Sequence, residues 1–363
     1  MKLAKLVTAT SGHNGKRFLQ RRSTAGRTAI QSALSTVSSR LHRAAICATT
    51  ALTLAFVLPS TPQAEEISVS QWGTTLEGAP YAVAMAKGYF REAGINITGI
   101  LGSSGGGTTV RNIFASATPF GEVALTAAIA AQKSGLKIII TNTGVRNVAQ
   151  FVWVTMPDSK IKTIKDFPGN KVSFTAPKSV TQMLLLMALR SQGIAPDSVE
   201  MISSGGYGPG LTLLENGGVV AAPMIEPART ANEHKYRAVL VASEVLPPLT
   251  ATVGITSPEF AQKEPKKIAA ILAGRRKAVE FIYANPAEAS QILAKAFNFA
   301  PDVTEKAVAR MVAAKTWSLG GFELQGLNGM IEGLRILGEH EGDMDWSKLI
   351  NTSFLPTDLQ QIR

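Results

Sequence analysis

The residues able to do chemistry in this chain are hydroxyls, glycines and a few isolated charges. Gly102-Ser-Ser-Gly-Gly-Gly-Thr108 is the densest such segment. Glycine lets a ligand approach the backbone closely. Where such a loop opens a helix, the free amides and the dipole favour an anion. Gly106, Gly107 and Thr108 are therefore candidate ligand contacts, although a flexible turn has the same composition. No Lys-Ser/Thr pair follows, so this is not a nucleotide P-loop. Ala176-Pro-Lys-Ser-Val-Thr181 is a second segment of this kind, with Ser179 and Thr181 placed to cap a helix and to reach a ligand. Trp72 could wall a ligand or fill a core, and Thr74, Thr75 and Glu77 follow it. Glu77 is expected to point to solvent. Were it to face the ligand, that ligand would need a donor or a cation. Arg146, within Gly144–Asn147, is either a surface arginine or a fork for a carboxylate or sulfonate. Tyr207 lies in the turn Gly205-Gly-Tyr-Gly-Pro209, which can fold over a ligand.

Several chemistries are excluded by composition. Cys47 is the single cysteine, so everything after it lacks disulfides, thiol nucleophiles, zinc-thiolate sites and iron–sulfur clusters. His234 and His340 stand apart from each other and from any carboxylate cluster at ligand spacing, so no metal is expected, and no cofactor.

The charge is unevenly distributed. The chain of 363 residues has a formal net charge of +11, from 37 Lys and Arg against 26 Asp and Glu. Nine of the basic residues and none of the acidic ones fall within residues 1–64. The remainder therefore holds 28 basic against 26 acidic residues and is close to neutral. That argues against a nucleic-acid partner. The basic run Lys263, Lys266, Lys267 and Arg275–Lys277 is interrupted by Glu264 and Glu280 and reads as a solvated helix face. Within the basic N-terminal segment, Ala44–Leu58 is a mostly apolar run preceded by Arg40 and Arg43. It is shorter than the roughly 18–20 residues of a spanning helix. A small-residue stretch ending at Ala64 follows, as in a secretory signal peptide cut after Ala64. The basic region ahead of the run is long, as in an over-extended start or an unusual leader. Export to the periplasm is the expectation.

These residues must be positioned by regular elements. From Glu65 onward, about 300 residues exceed one small core and fit two domains. Strand and helix signals alternate from Ile67 to Thr141, which predicts a parallel α/β sheet, and the alternation restarts at Phe151. After Pro258 the pattern is helical. Two α/β lobes favour a site in the cleft between them, at the carboxyl ends of the strands. That places loops Trp72–Pro80, Leu101–Thr108, Leu125–Ala127 (with Thr126), Ala176–Thr181, Gly205–Pro209 and Pro223–Pro227 at the cleft.

Several segments resemble a known family in this order: APYAVAMAKGYFREAGINI, IKTIKDFPGNKVSFTAPKSVTQMLLLMALRSQGIAPDSVEMI, GLTLLENGGVVAAPMIEP, SPEFAQKEPKKIAAILAGRRKAVEFIYANPAEA and DMDWSKLINTSFLP. Over residues 67–356 the chain resembles periplasmic solute-binding proteins of the nitrate/sulfonate/taurine class of ABC importers. The resemblance implies a type II periplasmic-binding fold of two α/β lobes joined by two crossovers, near residues 155 and 250. It assigns residues 65–155 plus 251–363 to one lobe and 156–250 to the other, with the C-terminal helices returning mainly to the first. It carries Glu226 over as a ligand contact from the family's Trp-Glu-Pro position, where Ile225 stands in place of the tryptophan. The implied ligand is a small organic anion and the implied partner an ABC permease–ATPase complex in the inner membrane, the protein acting as a monomer and not as an enzyme. Two alternatives share the fold. One is a receptor for a thiamine-precursor pyrimidine, for which Glu77 or Glu226 would be acceptors. The other is a pyrimidine synthase, whose Cys-rich, His-containing site finds no thiol here.

Overall fold

The computed structural model describes residues 64–103 and 105–363. Residues 1–63 of the leader assigned to 1–64, and Ser104 of the Gly-rich loop, lie outside the described residues, while Ala64 opens β1. The first unit runs β1 (Ala64–Ser70), α1 (Ala79–Lys87), α2 (Tyr89–Glu92), β2 (Asn96–Ser103), α3 (Gly106–Ala115), β3 (Phe120–Ala124), α4 (Leu125–Lys133) and β4 (Ile139–Thr143). The second runs β5 (Phe151–Thr155), β6 (Lys171–Phe174), α5 (Val180–Ser191), β7 (Glu200–Ser203), α6 (Tyr207–Glu215), β8 (Ala222–Ile225), α7 (Ala228–Ala231), β9 (Arg237–Val241) and α8 (Ala242–Val245). The chain then returns through β10 (Thr252–Thr256) and ends in α9 (Pro258–Lys263), α10 (Pro265–Ala284), α11 (Pro286–Phe297), α12 (Pro301–Ala313) and α13 (Leu324–Ile336).

Local sequence explains many of these boundaries. Pro80 lies in the first turn of α1, where its missing N–H costs nothing. Gly88 ends that helix at φ 74°, a left-handed conformation that suits glycine. Ser179 caps α5 by accepting from the Gln182 amide. β5 and β10 are buried at every residue, as strands covered on both faces must be.

The sheets are mixed rather than purely parallel. The first has the order β2-β1-β3-β10-β4. β1 runs parallel to β2 and β3, but β10 is antiparallel to β3 and β4. In the second, β5 lies between β8 and β9 and is antiparallel to both. β6 and β7 pair in parallel, and one bridge from Val172 to Ala221 joins them to the segment entering β8. The reversal has a simple cause. β5 and β10 are the strands by which the chain enters each unit from the other, so they start where the remaining strands end. Phe151 and Ala251, at the start of these two strands, line the same cavity as Ser70, Ala124 and Ile225 at strand ends. β5 was expected to close the first lobe. Its pairing places it in the second sheet, so the first crossover spans Gly144 to Gln150.

Helices α10 and α11 pack on α1, in the first unit, while α13 packs against both α4 and α5. One buried network holds the first-unit ends of both crossovers. Arg275 of α10 is 1 % exposed and pairs with Glu122 of β3 at 3.1 Å. Its other nitrogens donate to the carbonyls of Gly144 (2.8 Å) and Ser318 (2.7 Å). Glu122 also accepts from Thr252 Oγ1 at 2.7 Å, and that hydroxyl accepts from the Val145 amide at 2.7 Å. Among the described residues no helix is long and apolar enough to cross a membrane.

Candidate binding cleft

Strand ends and helix starts from both units converge on one cavity of about 950 Å³. From the first unit come the end of β1 with Gln71, Thr75 and Glu77, the start of α3, and α4 from Thr126 to Ser134. From the second come Phe151, Thr175, the start of α5, the Gly205–Tyr207 turn and Ile225. Leu334 of α13 and Glu339 beyond its end complete the wall.

The helix starts give the cleft its polarity. Gly105 precedes α3 without a side-chain cap, and Gly206 precedes α6 likewise. First-turn amides have no intrahelical acceptor and carry the positive end of the dipole. Gly106 and Gly107 differ in kind. A Cβ on Gly106 would meet Ala127 Cβ at 2.5 Å, so this glycine is required by the contact of α3 with α4. A Cβ on Gly107 would meet nothing nearer than the end of Arg111, at 3.8 Å. Behind α5, Thr181 Oγ1 binds the Thr175 amide (2.9 Å), Thr175 Oγ1 (2.7 Å) and Ser179 Oγ (3.0 Å), which fixes the loop against the helix.

Glu77 lines this cavity, contrary to the expectation that it points to solvent. It is 8 % exposed, and Gln150 Nε2 donates to its Oε1 at 2.6 Å. Burial pushes its pKa up to about 7; the Gln150 hydrogen bond opposes that shift and the Glu122 charge adds to it. Desolvation and the Glu77 charge raise the Tyr207 hydroxyl above its ordinary value. The described lining holds no arginine or histidine. Lys178 pairs with Glu339 at 2.7 Å, and Lys133 Nζ donates to the Glu339 carbonyl at 2.8 Å.

Of the residues singled out by sequence, Thr75, Gly106, Gly107, Thr126, Ser179, Thr181 and Tyr207 lie on the cavity wall. The other five do not. Trp72 fits between Gly78 and Gly102, where an added Cβ would come within 2.8 and 2.9 Å of it, and packs edge-on against Phe297 of α11. Thr74 donates to the Gln71 carbonyl at 2.9 Å. Thr108 is exposed and accepts from Arg111 at 2.9 Å. Arg146 is paired with Glu323. Glu226 is 1 % exposed and accepts from Thr230 Oγ1 at 2.7 Å beside Arg310 and Arg229. Sequence reasoning also missed wall residues. Phe151, beside Tyr207 in the lining, supplies the aromatic surface that Ile225 lacks; its signal was an aromatic residue opening the strand after a crossover. Leu334 and Glu339 had no local signal, because α13 reaches the cleft only through tertiary packing, and Lys133, the last residue of α4, reads in sequence as an ordinary helix-end lysine. Among the described residues no group of three His, Asp or Glu side chains could hold a metal ion.

Known proteins of the same shape can now be set beside this geometry. The alkanesulfonate-binding protein SsuA from Xanthomonas axonopodis pv. citri, bound to MOPS, is 14 % identical, with a TM-score of 0.64 over 81 % of this chain and 100 % of that one. The periplasmic aliphatic sulphonate binding protein SsuA from Escherichia coli is 19 % identical, with a TM-score of 0.59 over 69 % of this chain and 79 % of that one. The desulfurization enzyme DSZB is 12 % identical, with a TM-score of 0.59 over 80 % and 97 %. At these identities the likeness establishes the fold, which is that of type II periplasmic binding proteins. No curated protein sequence matches the chain. The NMT1/THI5 like family model matches residues 76–289, which is more than half of the chain and takes in most of the cleft. The chain belongs to the NMT1/THI5-like family.

Proposed function

We propose that this protein is the exported solute-binding component of an ABC importer, acting in the periplasm as a monomer without covalent chemistry. It captures a small organic acid between its two α/β units and presents it to a membrane permease. The observation that carries this reading is the cavity itself. It is built by strand ends and helix starts of both units, and its volume of about 950 Å³ lies at the upper end of the ~300–1,000 Å³ typical of small-molecule sites. A cavity shared by two units joined by two crossovers can open and close by bending them. The starts of α3, α4, α5 and α6 give it a positive potential suited to an acid group. The SsuA neighbours bind sulfonates, which supports an acid as ligand class, whereas DSZB shows that the fold also hosts enzymes.

The test is fractionation followed by calorimetry. The protein should appear in the periplasmic fraction and bind one small organic acid per chain without consuming it. Retention in the cytoplasm, or turnover of the bound acid, would overturn the reading.

A further inference from the structure

We propose that Glu77 determines ligand choice in this cleft, and that the solute carries an amine- or amidine-type nitrogen that docks on its carboxylate. This inference rests on the solute-binding reading above and narrows its ligand class.

Three observations carry it. First, Glu77 lines the cavity yet is only 8 % exposed. A buried carboxylate is costly unless a partner compensates it. Its protein partner is the Gln150 amide at 2.6 Å, which is neutral. Gln150 Oε1, on the same amide, is buried without a hydrogen-bond partner. Rotating that amide would exchange donor and acceptor, so Gln150 can serve either the ionised or the protonated carboxyl. Second, the arginine expected to meet an anion, Arg146, is engaged elsewhere, as is Arg310. Arg146 pairs with Glu323, and Arg310 with Glu226 and Glu233. The lysines of the lining gather at Glu339. Among the described residues no ion pair to Glu77 is formed and the two lining lysines lie at Glu339, so a bare anion placed against Glu77 would be repelled. Third, Phe151 and Tyr207 line the same cavity, and aromatic faces favour cationic nitrogen. The titratable neighbours whose fields reach Glu77 are Glu122 of β3 and Tyr207 of α6. The Glu122 charge disfavours a negative Glu77, whereas the Tyr207 hydroxyl stays neutral, and a bound ammonium or amidinium would offset the Glu122 charge. An acid group at the other end of the same solute can still reach the helix starts.

The test uses matched probes and one variant. The pairs are 4-aminobutyrate against pentanoate, 2-aminoethanesulfonate against propane-1-sulfonate, and benzamidine against benzoate. Each is titrated calorimetrically into the purified full chain and into Glu77→Gln, with circular dichroism to verify the fold of the variant. In at least one pair the nitrogen member should bind the parent at least tenfold more tightly than its partner. In Glu77→Gln that preference should fall to about onefold while the partner binds as before. Equal binding within every pair, or a preference that survives Glu77→Gln, would overturn the role of Glu77 and leave the solute-binding reading standing. If no probe binds either protein, this inference falls, while the solute-binding reading stands or falls on its own fractionation and calorimetry.

Discussion

Glu77 shows how far a single side chain can be read from sequence. It was expected to point to solvent, because a carboxylate facing the cleft would repel an anionic ligand. Its burial depends on Gln150, 73 positions away, and on the cavity that both units build. The same holds for Arg146, whose position near the crossover was legible but whose partner Glu323 lies 177 positions further on. Ser179 was legible because capping is local, whereas Thr181, expected as a second cap, lies inside α5 and holds Thr175 instead. Glu77 also makes a prediction about stability. Its carboxyl has a pKa of about 7 in the folded chain against 4.5 ordinarily, so between these values the native state binds the proton and the unfolded state has lost it. Stability from this group is therefore full below pH 4.5 and is lost as pH rises through 7, by at most about 3 kcal/mol. Glu77→Gln removes that loss. Thermal melts should show the variant a few degrees more stable than the parent at pH 8 and indistinguishable from it at pH 5. A variant less stable than the parent at pH 8 would mean that the carboxylate is already compensated.

At the scale of elements, order and type were legible and direction was not. Period-two and period-3.6 patterning located most strands and helices within a few residues. A fully buried strand such as Phe151–Thr155 carries the same pattern whether it runs parallel or antiparallel. Its antiparallel pairing follows from the crossover, which is a property of the chain path. The contact between α3 and α4 was likewise invisible, since three consecutive glycines suggest one flexible loop. The structure separates them. Gly106→Ala should cost about 1–3 kcal/mol, because its Cβ would meet Ala127 Cβ at 2.5 Å and neither backbone-borne atom can swing aside. Gly107→Ala makes only an ordinary contact with the end of Arg111 and should be neutral or stabilising by up to about 1 kcal/mol. Urea denaturation of the two variants checks both. Equal effects would show that α3 does not need its close approach to α4.

Across the whole molecule, the buried Arg275–Glu122 network fixes where bending can occur. It binds Gly144, Val145 and Thr252, at the first-unit ends of both crossovers. The crossover residues outside this network are 146–150 and 246–250. The restart of the strand–helix alternation at Phe151 marked the strand that opens the second sheet, and the position of the charges gave the near-neutral body. The bridging role of α13 was not, because its contacts with α4 and α5 belong to tertiary structure. The central claim is that a solute is held between two units that close on it. Small-angle X-ray scattering of the periplasmic protein tests it most directly, measured with and without a saturating solute identified by calorimetry. The radius of gyration should fall on solute addition, and substituting both 146–150 and 246–250 with rigid proline-rich segments should abolish the change. A radius unchanged at saturation would contradict closure of the cleft.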